Sequence, residues 1–221
     1  MIVAERKPIT EIREMVEPHE SVLIVGCGAC VTVCMAGGEK EAELLCSILV
    51  LAFKDTGKQF TWDCVERQCE PEFVEPLADK IQANDAVLSM ACGAGVQTVV
   101  AQFPSIPVYP ALNTQFVGRP LEQGLWAETC AGCGNCILHK TGGICPIARC
   151  SKSLLNGPCG GSVNGRCEVD PENVECGWQL IYDRLEQAGT LYLLDEIMPP
   201  KDWSTSAHGG VRRVIREDVR L

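Results

Sequence analysis

No uninterrupted apolar run in this sequence is long enough to span a bilayer. The longest, Leu44 to Phe53, is broken by Ser47 and followed by Lys54 and Asp55, well short of the ~20 residues a membrane helix needs. The start, Met1 to Glu20, carries Glu5, Arg6, Lys7, Glu11 and Arg13 and offers no apolar stretch for a signal peptide. A soluble, cytoplasmic protein without membrane insertion is expected. Basic residues are in deficit: 19 Lys and Arg stand against 29 Asp and Glu, for a formal net charge of −10. That balance argues against nucleic acid, whose partners present a basic face. Aromatic residues make up only 5% of the chain, so the core must lean on Val, Ile, Leu and Ala, the usual filling of a parallel α/β layer. A dinucleotide fingerprint is also missing. The turn Gly26-Cys27-Gly28 would need a glycine at position 31, which is Val31. Internal repeats and low-complexity tracts are absent.

What the sequence has in quantity is cysteine, 15 among 221 residues. In a reducing compartment thiols stay free, and an odd number suits disulfide pairing poorly, so metal ligation is the stronger reading.

Apolar runs alternating with helical patterns organise the first half. Residues 1–20 read as a lead-in with a short helix from Thr10 to Val16. Strands are expected at 21–26, 59–63, 86–90 and 106–109, with helices at 38–56, 71–82 and 95–103. Alternating strands and helices imply a parallel sheet, a half-Rossmann or flavodoxin-like domain over 21–124, although the pattern dissolves around Leu112 to Gly124. Residues 125–190 form a cysteine-rich, loop-rich domain that cannot bury enough apolar surface to fold unaided, so metal ligation would supply the missing stability. Within it a helix is expected from Asp170 to Ala188, with Val174, Trp178, Ile181, Leu185 and Ala188 as its apolar stripe. Residues 191–221, with Pro199-Pro200, Trp203, Arg212, Arg213 and Arg216, read as a docking arm.

Cys27, Cys30 and Cys34 follow the first strand of the sheet, Cys64 and Cys69 follow the second, and Cys92 follows the third. A parallel sheet delivers all such loops to one carboxyl edge, where ligands gather. A CxxC turn reaches two neighbouring irons of a [4Fe–4S] cubane. Cys34 is a candidate third ligand, Cys69 or Cys92 the fourth, and the N–H groups of Gly37 and Gly38 are candidate donors to cluster sulfur. Cys46, in mid-helix, reads as core. Glu66, Arg67 and Gln68, beside Cys69, read either as tuning the local charge or as a solvated turn.

The second constellation is Cys130-Ala-Gly-Cys133-Gly-Asn-Cys136, a CxxCxxC run followed by Cys145-Pro146. It resembles the bacterial ferredoxin signature, except that eight residues separate Cys136 from Cys145. One cluster is expected on the triplet plus Cys150 or Cys145, and a second on the cysteines left among Cys145, Cys150, Cys159, Cys167 and Cys176. Zinc is the alternative at one site. His139 reads as a surface residue.

Several stretches carry a family resemblance: Thr141-Gly-Gly-Ile-Cys-Pro-Ile-Ala-Arg-Cys150, Leu155-Asn-Gly-Pro-Cys-Gly-Gly161 and Cys176-Gly-Trp-Gln-Leu-Ile-Tyr-Asp-Arg-Leu185. With Gly26-Cys-Gly-Ala-Cys30, Ala36-Gly-Gly-Glu-Lys-Glu41, Glu66-Arg-Gln-Cys69 and Ala91-Cys-Gly-Ala-Gly-Val-Gln-Thr98, they resemble the methylenetetrahydrofolate reductase C-terminal domain family, which includes the small iron–sulfur subunits of two-subunit reductases in acetogens. The resemblance implies a non-catalytic electron-transfer subunit with two or three [4Fe–4S] clusters. It implies as partner a flavin-containing TIM-barrel catalytic subunit of the Wood–Ljungdahl pathway, with ferredoxin or an electron-bifurcating complex as donor. A barrel of ~250 residues has no room in this chain. A zinc-stabilised scaffold without redox function is the competing expectation.

Overall fold

A computed structural model describes residues 1–220, so Leu221, the end of the expected arm, lies outside the described residues. The chain divides into two compact units, 1–126 and 127–221.

The first unit is built on a four-stranded parallel sheet of β2 (Ser21–Cys27), β3 (Gln59–Val65), β4 (Ala86–Ser89) and β5 (Val108–Pro110), in the order β3-β2-β4-β5. The apolar run of β2 is buried on both faces because successive side chains point oppositely. Val22 and Ile24 join Leu45, Leu49 and Leu88 in one core. Leu23 and Val25 join Ile81, Val87 and Val99 in the other. The long helix α3 (Glu39–Ala52) links β2 to β3, and α6 (Gly93–Gln102) links β4 to β5. Helix α1 (Ile9–Val16) precedes β2, burying Ile12 and Val16.

Three expectations fail here, each for a physical reason. The lead-in contains β1 (Ile2–Arg6), which pairs antiparallel with β6 (Leu112–Glu122). Strand β6 occupies the stretch where the pattern dissolves, and β7 (Leu125–Cys130) completes a three-stranded sheet in the order β1-β6-β7. Most of β6 is exposed, so it carries no alternating apolar signal. The expected helix 71–82 is broken into α4 (Pro71–Val74), a 3₁₀ turn and α5 (Ala78–Gln82). Pro76 sits in that turn and has no N–H to continue an α ladder.

In the second unit, α7 (Pro146–Arg149) is a single turn and α8 (Gly177–Gln187) the one long helix among the described residues. Helix α8 starts later than expected because 170–174 form a turn in which Asp170 Oδ1 accepts from the Asn173 N–H at 3.1 Å. The Cys167 N–H donates to Val174 O at 2.9 Å. Trp178, Ile181 and Leu185 are buried as expected, whereas Val174 lies before the helix and Ala188 is exposed at its end. Among the described residues no helix is long and apolar enough to cross a membrane.

Candidate cysteine centres

Strand β2 ends in Gly26-Cys27 against Cys64-Val65 of β3, in the register Gly26↔Cys64 and Cys27↔Val65. The chain then folds into a tight loop. The Cys27 N–H donates to Gly37 O at 2.8 Å, the Gly28 N–H to Val65 O at 2.8 Å, and the Thr32 hydroxyl to Cys27 O at 2.8 Å. Cys30 opens the one-turn helix α2 (Cys30–Val33). Gly37 is required by a close approach, since an added Cβ would stand 2.0 Å from Met90 O. Cys92 caps the N-terminus of α6, and Cys69 precedes α4.

The loop carrying Cys69 is held by a side chain that sequence reasoning had given to charge tuning or a solvated turn. Gln68 is fully buried. Its Nε2 donates to Val25 O at 2.8 Å and Gly26 O at 3.0 Å, and its Oε1 accepts from the Ser89 hydroxyl at 2.6 Å. Three segments (the end of β2, the Cys69 loop and the end of β4) are thereby locked together. Arg67 instead faces outward, pairing with Glu66 and Glu70, each at 3.2 Å, and lying over the Phe73 ring. The hidden signal was a glutamine flanked by charged residues, which reads as solvated on sequence alone.

Cys27 ends β2, and Cys69 and Cys92 follow β3 and β4, its two neighbours in the sheet. Burial pushes the Cys69 thiol up first, and repulsion from Cys27, then from Cys92 and Glu70, adds to it. The Cys64 thiol is pushed up to about 11 by burial and then by Cys27, Glu39, Asp63 and Glu41. Cys64 stands opposite Gly26 in the strand register and lines one surface hollow with Glu39 and Asp63. Cys34 is placed differently. It is buried in the core, with its Sγ donating to Ala4 O and Val31 O at 3.5 Å each. The Gly37 and Gly38 N–H groups are already used, on Val31 O at 3.2 Å and on the Glu41 carboxylate at 3.0 Å, so neither is free to reach a cluster sulfur. Cys46 lies in the core as expected, donating to Phe60 O at 3.5 Å.

In the second unit the triplet lies at the end of β7. Gly132 and Gly134 take left-handed φ values of 58° and 79°, conformations glycine adopts at little cost. These turns bring the Gly132 N–H to 3.4 Å from Cys130 Sγ, and N–H donors of this kind tune the potential of a thiolate-bound cluster. Cys130 and Cys136 are exposed and Cys133 half-buried. Cys145 and Cys150 flank α7, and Cys176 caps α8. Cys150 packs on the buried cluster of Cys176, Trp178, Ile181 and Leu185. Cys167 lies 3.4 Å from the Ser151 hydroxyl, whose hydrogen bond lowers the Cys167 thiol pKa. Cys159 is exposed, in the loop where Gly157 lies against the Trp178 ring and the Trp178 indole N–H donates to Leu154 O at 3.0 Å. His139 is exposed.

The donor chemistry suits a soft, multinuclear centre. All 15 cysteines are free thiols, and neighbouring thiolates repel one another unless a cation lies among them. Among the described residues no three Cys, His, Asp or Glu side chains are grouped so as to hold a metal ion.

A family model described as methylene-tetrahydrofolate reductase C terminal matches residues 109–204. That span includes every cysteine from Cys130 to Cys176, while the resemblances at the sheet edge lie outside it. No curated protein and no solved structure matches the chain.

Proposed function

We propose, from the similarity of residues 109–204 to the C-terminal region of methylenetetrahydrofolate reductases, that this chain is the electron-transfer subunit of such a reductase, its thiolates holding two or three [4Fe–4S] clusters. When bound, these clusters supply one-electron redox chemistry, directed to the flavin of a separate catalytic subunit, with ferredoxin or an electron-bifurcating complex as donor. The observation that supports the reading is that Cys27, Cys69 and Cys92 stand at or just after the carboxyl ends of three neighbouring parallel strands, β2, β3 and β4. Cys30, in the same loop as Cys27, is the fourth ligand in this reading, and Cys34 is a core residue. In the second unit Cys130, Cys133 and Cys136 hold one centre, and the cysteines around α7 and the start of α8 supply another.

The chain's own part is to bind and to tune. The buried amide of Gln68 fixes the spacing of the Cys27 and Cys69 loops. Glu39, Glu41 and Asp63 place negative charge near Cys64, and negative charge beside a centre at this edge disfavours an added electron and lowers its potential. The Gly132 N–H acts in the opposite sense at Cys130.

Iron, sulfide and zinc content of anaerobically purified protein, with a visible spectrum before and after dithionite, tests the reading. About eight to twelve irons per chain, and absorbance near 400 nm that bleaches on reduction, are expected. Colourless anaerobic protein containing zinc and no iron would overturn it and leave a structural scaffold.

A further inference from the structure

The apolar side chains at the end of the chain are almost uncovered. Val211 is 99% exposed, Val214 87%, Ile215 65% and Val219 67%. Residues 211–216 have no regular structure, and a turn covers 217–219. Their spacing nevertheless has a helical period. At about 100° per residue, Val211, Val214, Ile215 and Val219 fall on one arc and Arg212, Arg213, Arg216 and Arg220 on the other. Ten residues are too few for a helix to persist alone in water, so such a segment becomes helical where a partner covers its apolar arc. Its root is fixed. The Arg212 guanidinium donates to Thr205 O at 2.6 Å and Gly132 O at 3.1 Å, and the Thr205 hydroxyl donates to Cys133 O at 2.9 Å. The segment therefore leaves directly from the loop that carries the cysteine triplet.

We infer that residues 211–220 are an interaction arm that folds into an amphipathic helix in an apolar, acid-rimmed groove of the flavin-containing catalytic subunit; this rests on the function proposed above. Charge chooses the rim. Arg216 and Arg220 pair within the arm with Asp218 and Glu217, which leaves Arg212 and Arg213 as its net positive charge, opposite in sign to the chain's overall −10, and an acidic rim complements that charge. Composition argues for a protein groove over a lipid surface. The apolar arc holds Val and Ile without the Trp, Phe or Leu that anchor interfacial helices, and Asp218 lies within it. The arm leaves beside Gly132 and Cys133, so a partner seated on it is brought next to the triplet. That is where a one-electron relay must hand over.

Binding of the full chain to the catalytic subunit, compared with a chain ending at Gly210 and with the double variant Val214→Ser, Ile215→Ser, tests the inference. The double variant keeps Arg212 and Thr205 on the triplet loop, so it separates docking from damage to that loop. Both variants are expected to bind about 100-fold more weakly at unchanged far-UV circular dichroism of the body. In the complex, the amides of 211–220 are expected to become protected from hydrogen exchange. Equal affinity of all three chains would overturn the arm while leaving the proposed function standing. Failure of the full chain to bind would overturn both. Binding of the full chain to anionic phosphatidylserine vesicles, lost in the same two variants, with no effect of those variants on the catalytic subunit, would overturn the protein groove in favour of a lipid surface.

Discussion

Replacing Gln68 by alanine removes the side chain that joins the cysteine edge. Three hydrogen bonds are lost, to Val25 O, Gly26 O and the Ser89 hydroxyl, each contributing about 0.5–1.5 kcal/mol net. The Ser89 hydroxyl, itself fully buried, is left without its acceptor, at a cost of about 1–3 kcal/mol. Counting the Ser89 bond once, as the orphaned hydroxyl, unit 1 is therefore expected to lose roughly 2–6 kcal/mol. A single melting curve mixes two units, so hydrogen exchange by mass spectrometry on peptides covering β2 and β4 is the suitable assay, because it reads local opening free energies. Gln68→Met restores volume without the amide and is expected to recover only about 1–2 kcal/mol. Gln68→Glu keeps the shape but turns an acceptor toward two carbonyls, and is expected to be at least as damaging as alanine. Exchange in β2 of Gln68→Ala within about 0.5 kcal/mol of the parent protein would refute the reasoning.

Other changes separate the roles assigned here. Gly37→Ala places a methyl group against Met90 O and is expected to lower the stability of unit 1 by about 3 kcal/mol or more, read as faster hydrogen exchange in peptides covering β2 and β4. Cys34→Ala should retain the parent's iron content, whereas Cys69→Ala should lose about four irons per chain by metal analysis of anaerobic protein. Asp85 gives a pH dependence. Its carboxylate accepts from the N–H groups of Ser21 and Glu20 at 2.9 and 3.1 Å, and the Ser21 backbone bond is the main cause of its lowered pKa. A depressed folded-state pKa contributes stability that is present above the ordinary carboxylate range and is lost as pH falls through the folded value. Asp85→Asn is therefore expected to flatten the acid limb of a thermal-stability profile; an unchanged limb would remove Asp85 from the account.

The parallel sheet was legible because β2 and β4 are buried on both faces, which leaves continuous apolar runs that no exposed element can mimic. Strand β1 was hidden because its partners lie more than 100 residues away. Strand β6 was hidden because its exposed positions, Asn113, Thr114, Gln115 and Arg119 among them, are polar, and its Gly118 and Pro120 read as turn residues. At the cysteine edge, sequence order placed Cys27, Cys69 and Cys92 on neighbouring loops, since strand ends determine that. It could not say where a thiol points. Cys34 directly follows the single turn of α2 and lies four residues before the N-terminal cap of α3, yet it faces the carbonyl of Ala4, a residue of a strand that sequence periodicity does not reveal. Gln68 escapes notice for a related reason: a buried polar side chain is justified by its partners, and two of these three are backbone carbonyls, which leave no trace in a sequence.

The pairing of Ile2–Arg6 with Leu112–Val117 also sets a timetable for biosynthesis. During synthesis, β2, β3 and β4 can assemble as soon as the chain has emerged beyond Ser89, but β1 lacks its full partner strand until Val117 is made. Until then the wall that closes over Cys34 is missing, and Val3 and Ala4 remain on an unpaired edge. Pairing at such sequence separation is slow to form. The first strand of the fold is therefore expected to be the last of its strands to find a place.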